Sequence, residues 1–434
     1  MRRRGYAPVL ALLGCAALAH ADVCRVTPTG AGVGAWGDTS TLQAALGNAQ
    51  CTEIWAAEGV YRPAASDRTA SFVILPGVAV YGGFAGTETQ RDERRPALHR
   101  TVLSGDIGED DIDVDGNAIA ESAADIQGDN SYQVVVMDGA TGIPLLDDTT
   151  LDGVTITAGN ADGDWPLNSG GGLFCNGVDA GSVCSPTVRH VVFSGNAGKY
   201  GAGMSNVGNS GNSSPTVTHV TFTGNAVSVS GGAMTNYVTG AGTSSPVLVN
   251  VTFSDNHALG NGGAIRNIGA GGAAIVQPFL ANVTFAGNSA TEGGAIINQG
   301  TAAPLLRNVI LWGNSATQAG NQIRNTGGAT PSIEYSLIQG SGGSGNWDTA
   351  LGTDGGGNLD ADPLLGALGN HGGLTPTRLP GLSGAAIDTG TCLGAPPIDQ
   401  RSVSRPQGAG CDIGAVERVV DRIFADAFDG TAFP

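Results

Sequence analysis

Thr252-Phe253-Ser254-Asp255-Asn256, followed by Gly262-Gly263-Ala264-Ile265-Arg266-Asn267, is one copy of a pattern that runs through the middle of the chain. Its first half recurs as Val192-Phe193-Ser194-Gly195-Asn196, Thr221-Phe222-Thr223-Gly224-Asn225, Thr284-Phe285-Ala286-Gly287-Asn288 and Leu311-Trp312-Gly313-Asn314. Its second half recurs from Gly201 to Asn206, Gly231 to Asn236, Gly293 to Asn298 and Gly320 to Asn325, with a divergent first copy from Gly170 to Asn176. The closing asparagines lie 30, 30, 31, 31 and 27 residues apart. A proline opens the next unit each time, at Pro186, Pro215, Pro246, Pro278, Pro304 and Pro331. The unit holds short strand patterns and no helical period. Repeats of this kind bury their apolar faces only by stacking, so the pattern predicts an all-β solenoid.

Stacking has consequences for single residues. Successive coils rise by one strand spacing, about 4.8 Å. Equivalent asparagines then lie above one another, and their amides can pair from coil to coil. The expected ladder is Asn176, Asn206, Asn236, Asn267, Asn298 and Asn325. Alternation places Val217, Val220 and Phe222 in the core, with a bend near Thr218-His219 shifting the phase. Glycine supplies positive φ at corners and leaves room where coils pack closely.

Composition agrees. Glycine takes 71 of the 434 positions and proline 20, while charged residues are only 13%. Helical bundles, collagen and disordered chains are excluded by that combination of glycine, missing three-residue period and 41% hydrophobic content. The net charge of −18 is the wrong sign for a nucleic-acid partner. Residues 101–152 hold 13 acids and no Lys or Arg, whereas 154–338 hold six acids against five bases.

The first residues read as a leader. Arg2-Arg3-Arg4 precede an apolar run, and Ala19-His20-Ala21 is a small-residue cleavage site. Leu12-Leu13-Gly14-Cys15 offers the alternative of a lipoprotein cysteine. No later apolar run is long enough to span a bilayer. Six further cysteines suit an oxidising compartment and fall into couples by proximity: Cys24 with Cys51, Cys175 with Cys184, Cys392 with Cys411. Six cysteines allow fifteen pairings, so other connectivities stay open. Ser40-Thr41-Leu42-Gln43 reads as a capping box opening a short helix to about Ala49, a lid for the solenoid's first coil. Less regular strand-like runs follow at 53–61, 71–75, 78–84, 101–104, 132–137 and 150–158.

The repeats resemble those of exported right-handed parallel β-helix proteins. Their Phe-x-x-Asn and Gly-Gly-Ala-Ile elements are similar to polymorphic outer-membrane protein repeats. Asp362-Pro363-Leu364, Asn370-His371-Gly372-Gly373-Leu374-Thr375-Pro376-Thr377, Ala386-Ile387-Asp388-Thr389-Gly390, Asp399-Gln400-Arg401, Arg405-Pro406 and Asp412-Ile413-Gly414-Ala415-Val416-Glu417 resemble the choice-of-anchor Q domain. Arg422-Ile423-Phe424-Ala425-Asp426-Ala427-Phe428-Asp429 is similar to a short tail on secreted proteins of some Gram-negative bacteria. The resemblance implies a right-handed parallel β-helix, pectin lyase-like in fold, at the cell surface or outside the cell. The expected divisions are a signal peptide (1–21), N-terminal cap and first coils (22–152), regular repeats (153–340), a C-terminal cap (341–418) and a tail (419–434).

Candidate chemistry is sparse. Asp111-Ile112-Asp113-Val114-Asp115-Gly116-Asn117 matches the first half of a calcium loop, so Asp111, Asp113, Asp115 and Asn117 are the candidate Ca²⁺ ligands. Glu121 falls one position early for a full EF-hand. β-Helical lyases use an Arg-x-Pro-x-x-Arg element, which Arg94-Arg95-Pro96-Ala97-Leu98-His99-Arg100 misses by one residue. Asp162 and Asp164 could pair as carboxylates, and Lys199, Tyr200, Trp36, Trp165 and Trp347 could touch sugar. The reading is a monomeric, exported, non-catalytic scaffold, adhesive or glycan-binding, with a polysaccharide or cell-surface glycan as partner. The alternative is a Ca²⁺-dependent polysaccharide (uronate) lyase or glycoside hydrolase.

Overall fold

The structure, a computed structural model, describes residues 22–419. The expected leader, Cys15 and the 422–429 tail lie outside the described residues. The chain winds into a parallel β-helix. Its strands form a broad sheet of 17, a lateral sheet of eight and a narrow sheet of six. One coil runs through all three: Thr216–Thr223 in the broad sheet, Ala226–Ser230 in the narrow, Met234–Val238 in the lateral. The next repeats the course with Val247–Ser254, His257–Ala258 and Ile265–Gly269.

From residue 187 to residue 338, each coil bends within the broad sheet at one residue held at positive φ. These are His190, His219, Asn250, Asn282, Asn308 and Tyr335, with φ between 47° and 56°. The bend exchanges the inward phase, so Val217, Val220 and Phe222 all reach the core. In register, Phe222 sits between Phe193 and Phe253, and Phe253 meets Phe285. Ring centroids along this stack are 4.6, 4.8 and 4.7 Å apart and nearly coplanar in tilt. That spacing is the strand spacing itself.

Two ladders of asparagine run beside the phenylalanines. Within the lateral sheet, Asn206 Nδ2 donates to Asn236 Oδ1, Asn236 to Asn267, Asn267 to Asn298 and Asn298 to Asn325, at 2.8–2.9 Å. Asn176 stands outside this ladder. Cys175, not Asn176, is in register with Asn206, because its inward sulfur bonds Cys184. Asn176 turns instead to Asp138 Oδ1. Asn206 Oδ1, with a cysteine where its donor would be, has no partner.

The second ladder is at the turn after the phenylalanine. Asn196, Asn225, Asn256, Asn288 and Asn314 link amide to amide at 2.8–2.9 Å. Each oxygen also accepts the preceding coil's backbone N–H, and Asn256 Nδ2 further reaches Phe222 O at 3.0 Å. The Gly-Gly corner explains itself sterically. Gly262 has φ +69°, and a Cβ on Gly263 would strike the carbonyl oxygen of Gly294 in the next coil. That second glycine becomes Ala202 in the coil of Met204 and Asn321 in the last lateral coil.

The N-terminal helix covers the first coil over Leu42–Leu46, with Leu42, Ala45 and Leu46 buried. Its cap is Thr41 rather than Ser40, and the Gln43 side chain reaches Ser71 O instead of closing a capping box. The expected strand runs before the repeats all contain strands. At the far end, Leu351 and Trp347 pack on the core, and Thr353–Asp354, the last strand of the broad sheet, pairs with Ser332–Glu334. The chain then turns back. Residues 362–418 form a strap along the side of the stack, not a cap on its end. The strap is held by the bend residues: Asn250 Nδ2 donates to Ile398 O at 2.9 Å and Asn308 Nδ2 to Thr391 O at 2.8 Å. Asn282 reaches Asp412 O and Gly414 O. Gln400 bridges Thr221 and Thr252. The three disulfides join Cys24–Cys51, Cys175–Cys184 and Cys392–Cys411.

A buried amide that loses its ladder leaves several donors and acceptors without water or partner, each costing about 1–3 kcal/mol. Asn256→Ala is therefore expected to lower the unfolding free energy by about 2–4 kcal/mol. Chemical denaturation of the two proteins checks this; a change under about 0.5 kcal/mol would remove the ladder from the stability argument.

Candidate functional site: a lateral groove

Outward positions of the lateral sheet are free to vary, because alternate residues point away from the core. In register along the stack lie Ser205, Thr235, Arg266, Ile297 and Arg324, the residue before each ladder asparagine. The neighbouring outward column holds Val207, Tyr237 and Ile268. Ser205, Thr235 and Arg266 of the first column, with the second column, floor a groove of about 330 Å³, walled by Trp165, Asn168, Ser169 and Tyr200; Ile297 and Arg324 lie beyond it along the stack.

That wall is anchored from behind. Gln133 Nε2 donates to Pro166 O and Ser169 O at 3.0 and 2.8 Å. Lys199 Nζ donates to Gly163 O, and Arg68 pairs with Asp162 at 2.8 Å. Trp165 is 52% exposed and meets Phe174 edge-on, with centroids 5.9 Å apart. Arg266 lies half-buried, its guanidinium 5.8 Å from the Tyr200 ring centroid. Nε donates to Gln299 Oε1 at 2.9 Å. Among the described residues no carboxylate lies within ion-pair distance of Arg266. Burial pushes its pKa below the usual value, partly offset by Tyr200 and Tyr237. Ser205 Oγ, on the floor, has no hydrogen-bond partner among the described residues.

Of the residues singled out from sequence as sugar contacts, Trp165 and Tyr200 come together here. Trp36 and Trp347 do not: their Nε1 atoms bond Glu88 O and Gly352 O. Asp162 is spent on Arg68, and Lys199 on the loop carbonyl. Arg266 and Tyr237 escaped notice. Their signal was the repeat alignment, in which the position before the closing Asn changes from Ser to Thr to Arg and the one after it from Val to Tyr to Ile, while the Asn holds.

In the acidic insertion, Asp111 is brought beside Asp106 and Asp110, Asp113 lines the same cavity, and Asp115 and Asn117 do not line it. Ligand oxygens of Asp106, Asp110 and Asp111 lie within 4.8 Å of one another. Asp113 accepts from the backbone of Gly116, Asn117 and Ala118, and Asp115 from Asn117. These are turn-closing bonds that occupy both carboxylates. Asp111 accepts from Gln127 N and Asn130 Nδ2, and burial pushes its pKa up to about 6. Arg62 lies against the same cavity, 3.8 Å from Asp106 and 3.5 Å from Glu109.

A second charged cluster sits under the strap. Buried Asp152 takes Arg94 and Arg189 on Oδ2 at 2.7 and 2.6 Å, and His190 on Oδ1 at 2.9 Å. Burial pushes its carboxyl up, but His190 and the two arginines outweigh that and hold it at about 2. His219 stacks 5.1 Å from His190 and receives Asn250 Nδ2 on Nε2 at 3.3 Å. Burial, with His190 and Arg189 nearby, pushes His219 down to about 4, while Asp399 opposes this. The Arg94 of the near-miss lyase element is thus a structural ion-pair partner.

No protein-family model matches the chain, and no curated protein matches it in sequence. In fold it is similar to a solved structure described as the crystal structure of pectate lyase Pel9A. The likeness covers 91% of this chain and 96% of that one, at 13% identity and a TM-score of 0.43.

The electrostatics set a pH dependence. A histidine whose folded pKa falls from 6.5 to about 4 contributes stability that is whole above pH 6.5 and lost as pH falls toward 4. Asp111 and Asp412, raised to about 6, contribute the opposite slope. Between pH 6.5 and 4 the wild type is expected to lose on the order of 2 kcal/mol more stability than His219→Gln. Denaturation midpoints at both pH values measure the difference; parallel pH profiles would show that His219 stays protonated alike in both states.

Proposed function

We propose that the protein is an exported β-helix that binds polysaccharide along its lateral groove without cleaving it. The observation that carries this is the groove itself. Trp165, Tyr200 and Tyr237 offer aromatic surface along it, and its wall is pre-organised by Gln133, Lys199 and Arg68. Rings of this kind bind the apolar faces of pyranoses while hydroxyls find polar groups at the edges. Fixing the wall beforehand cuts the ordering cost of binding. Among the described residues no Asp or Glu lines the groove, where glycoside hydrolysis uses a carboxylate pair.

The surface address rests on the three disulfides, the leader-like first residues and the likeness of repeats and strap to outer-membrane repeats and the choice-of-anchor Q domain. Among the described residues no helix is long and apolar enough to cross a membrane. The division at 152, 340 and 418 belongs to the same proposal, with the last segment acting as strap as well as cap.

A second reading, a Ca²⁺-dependent lyase, is favoured by one observation: three converging carboxylates beside Arg62. Hard oxygen donors suit Ca²⁺. Arg62 competes for the same oxygens, however, and that weakens the fit.

A panel of uronate and neutral oligosaccharides, tested with Ca²⁺ and with chelator, separates the readings. Binding without new reducing or unsaturated ends is expected, and Trp165→Ala or Tyr237→Ala should weaken it about five- to twentyfold. Appearance of unsaturated ends only with Ca²⁺ would replace the scaffold reading with the lyase.

A further inference from the structure

The groove's charge is unbalanced in a telling way. Arg266 is half-buried, hydrogen-bonded only through Nε among the described residues, and without a carboxylate partner. Elsewhere several half-buried arginines, among them Arg62, Arg68, Arg94, Arg307 and Arg401, meet Asp or Glu, and Arg25, which does not, lies over the rings of Trp36 and Trp55. A guanidinium withdrawn from water and left unpaired is costly, and burial already lowers its pKa. The same outward column carries a second arginine, Arg324, with Ile297 between them. Two coil spacings separate the two, about 9.6 Å. Arg324 makes no ion pair among the described residues, and its Nε has no partner. In a chain of net charge −18, two unpaired arginines aligned on one face are a local exception.

We infer that the groove selects an acidic glycan, with Arg266 receiving the carboxylate of a hexuronate between Tyr200 and Tyr237. This deepens the proposed glycan binding and rests on it. The fork of a guanidinium meets a carboxylate through two parallel hydrogen bonds, which fixes ring orientation as well as charge. Ser205 Oγ, unpartnered one coil before Thr235, supplies a hydrogen bond to a sugar hydroxyl. Arg324 meets a second acid further along a linear chain lying parallel to the solenoid axis. Arg266 is thus the residue that sets specificity, while Trp165 and Tyr237 supply affinity for sugar of either kind.

Titration calorimetry on the full chain tests this with oligogalacturonate, a neutral oligosaccharide of equal length and a sulfated galactan oligomer. Wild type is expected to bind oligogalacturonate at least tenfold more tightly than the neutral oligomer, with affinity falling as salt rises. Arg266→Gln should lose about ten- to a hundredfold for oligogalacturonate and far less for the neutral oligomer. Arg266→Lys, which keeps charge but not the fork, should recover only part of the loss. Equal affinity for acidic and neutral oligomers overturns the inference and leaves the glycan reading standing. Tighter binding of the sulfated oligomer overturns the carboxylate assignment. Binding of none of the three overturns both. Were Arg266→Gln to unfold, the wild-type preference and its salt dependence, with Arg324→Gln, would decide the matter.

Discussion

Parallel stacking at one strand spacing is the constraint on which everything else depends. It forces each residue to live directly above and below its own equivalents. A side chain is tolerated in such a column only if it can partner itself. Phenylalanine can, face to face, as the 193–222–253–285 stack shows. Asparagine can, because one amide carries both donor and acceptor. A buried lysine or glutamate cannot, since like charges 4.8 Å apart repel. The low charge of the repeat region follows from this. So does the exception: charges reappear in the outward lateral column, where Ser205, Thr235, Arg266, Ile297 and Arg324 need not match.

That split between self-matching and free columns makes the scaffold able to carry a site. The inward columns fix spacing to a few tenths of an ångström. The outward column can then be written one coil at a time without disturbing the core. The groove uses this freedom across three coils, and a loop pinned by Gln133 and Arg68 supplies the remaining wall.

Much of the fold was legible because repetition makes it so. Phe-x-x-Asn, Gly-Gly and the opening prolines mark turn, corner and strand start in every copy, and positive φ at His219 falls where the phase of Val217, Val220 and Phe222 required a bend. What could not be read was non-periodic. Asn176 looked like a ladder member by spacing, but the Cys175–Cys184 bond claimed the inward slot one residue earlier. Asp113 and Asp115 looked like ligands by alternation, yet a nearby backbone rich in free N–H groups satisfied them first. Gln133 and Arg266 draw their meaning from a neighbour more than thirty residues away, Pro166 in one case and Gln299 in the other. The return of the strap along the stack was invisible for the same reason.

The strap changes what kind of object the solenoid is. Coils alone form a one-dimensional chain of nearest neighbours, in which an end can peel without the middle knowing. Residues 362–418 tie the coil of His219 to those of Asn250, Asn282 and Asn308 through bend residues spread over almost ninety positions. Asn250, Asn282 and Asn308 hold the left-handed conformation there, and each also fastens the strap through its side-chain amide. Since the strap is the last part of the described chain to be synthesised, the coils must stand unclasped until it arrives. The solenoid is therefore a lattice closed in order, with the 362–418 strap acting as the latch on a stack already built.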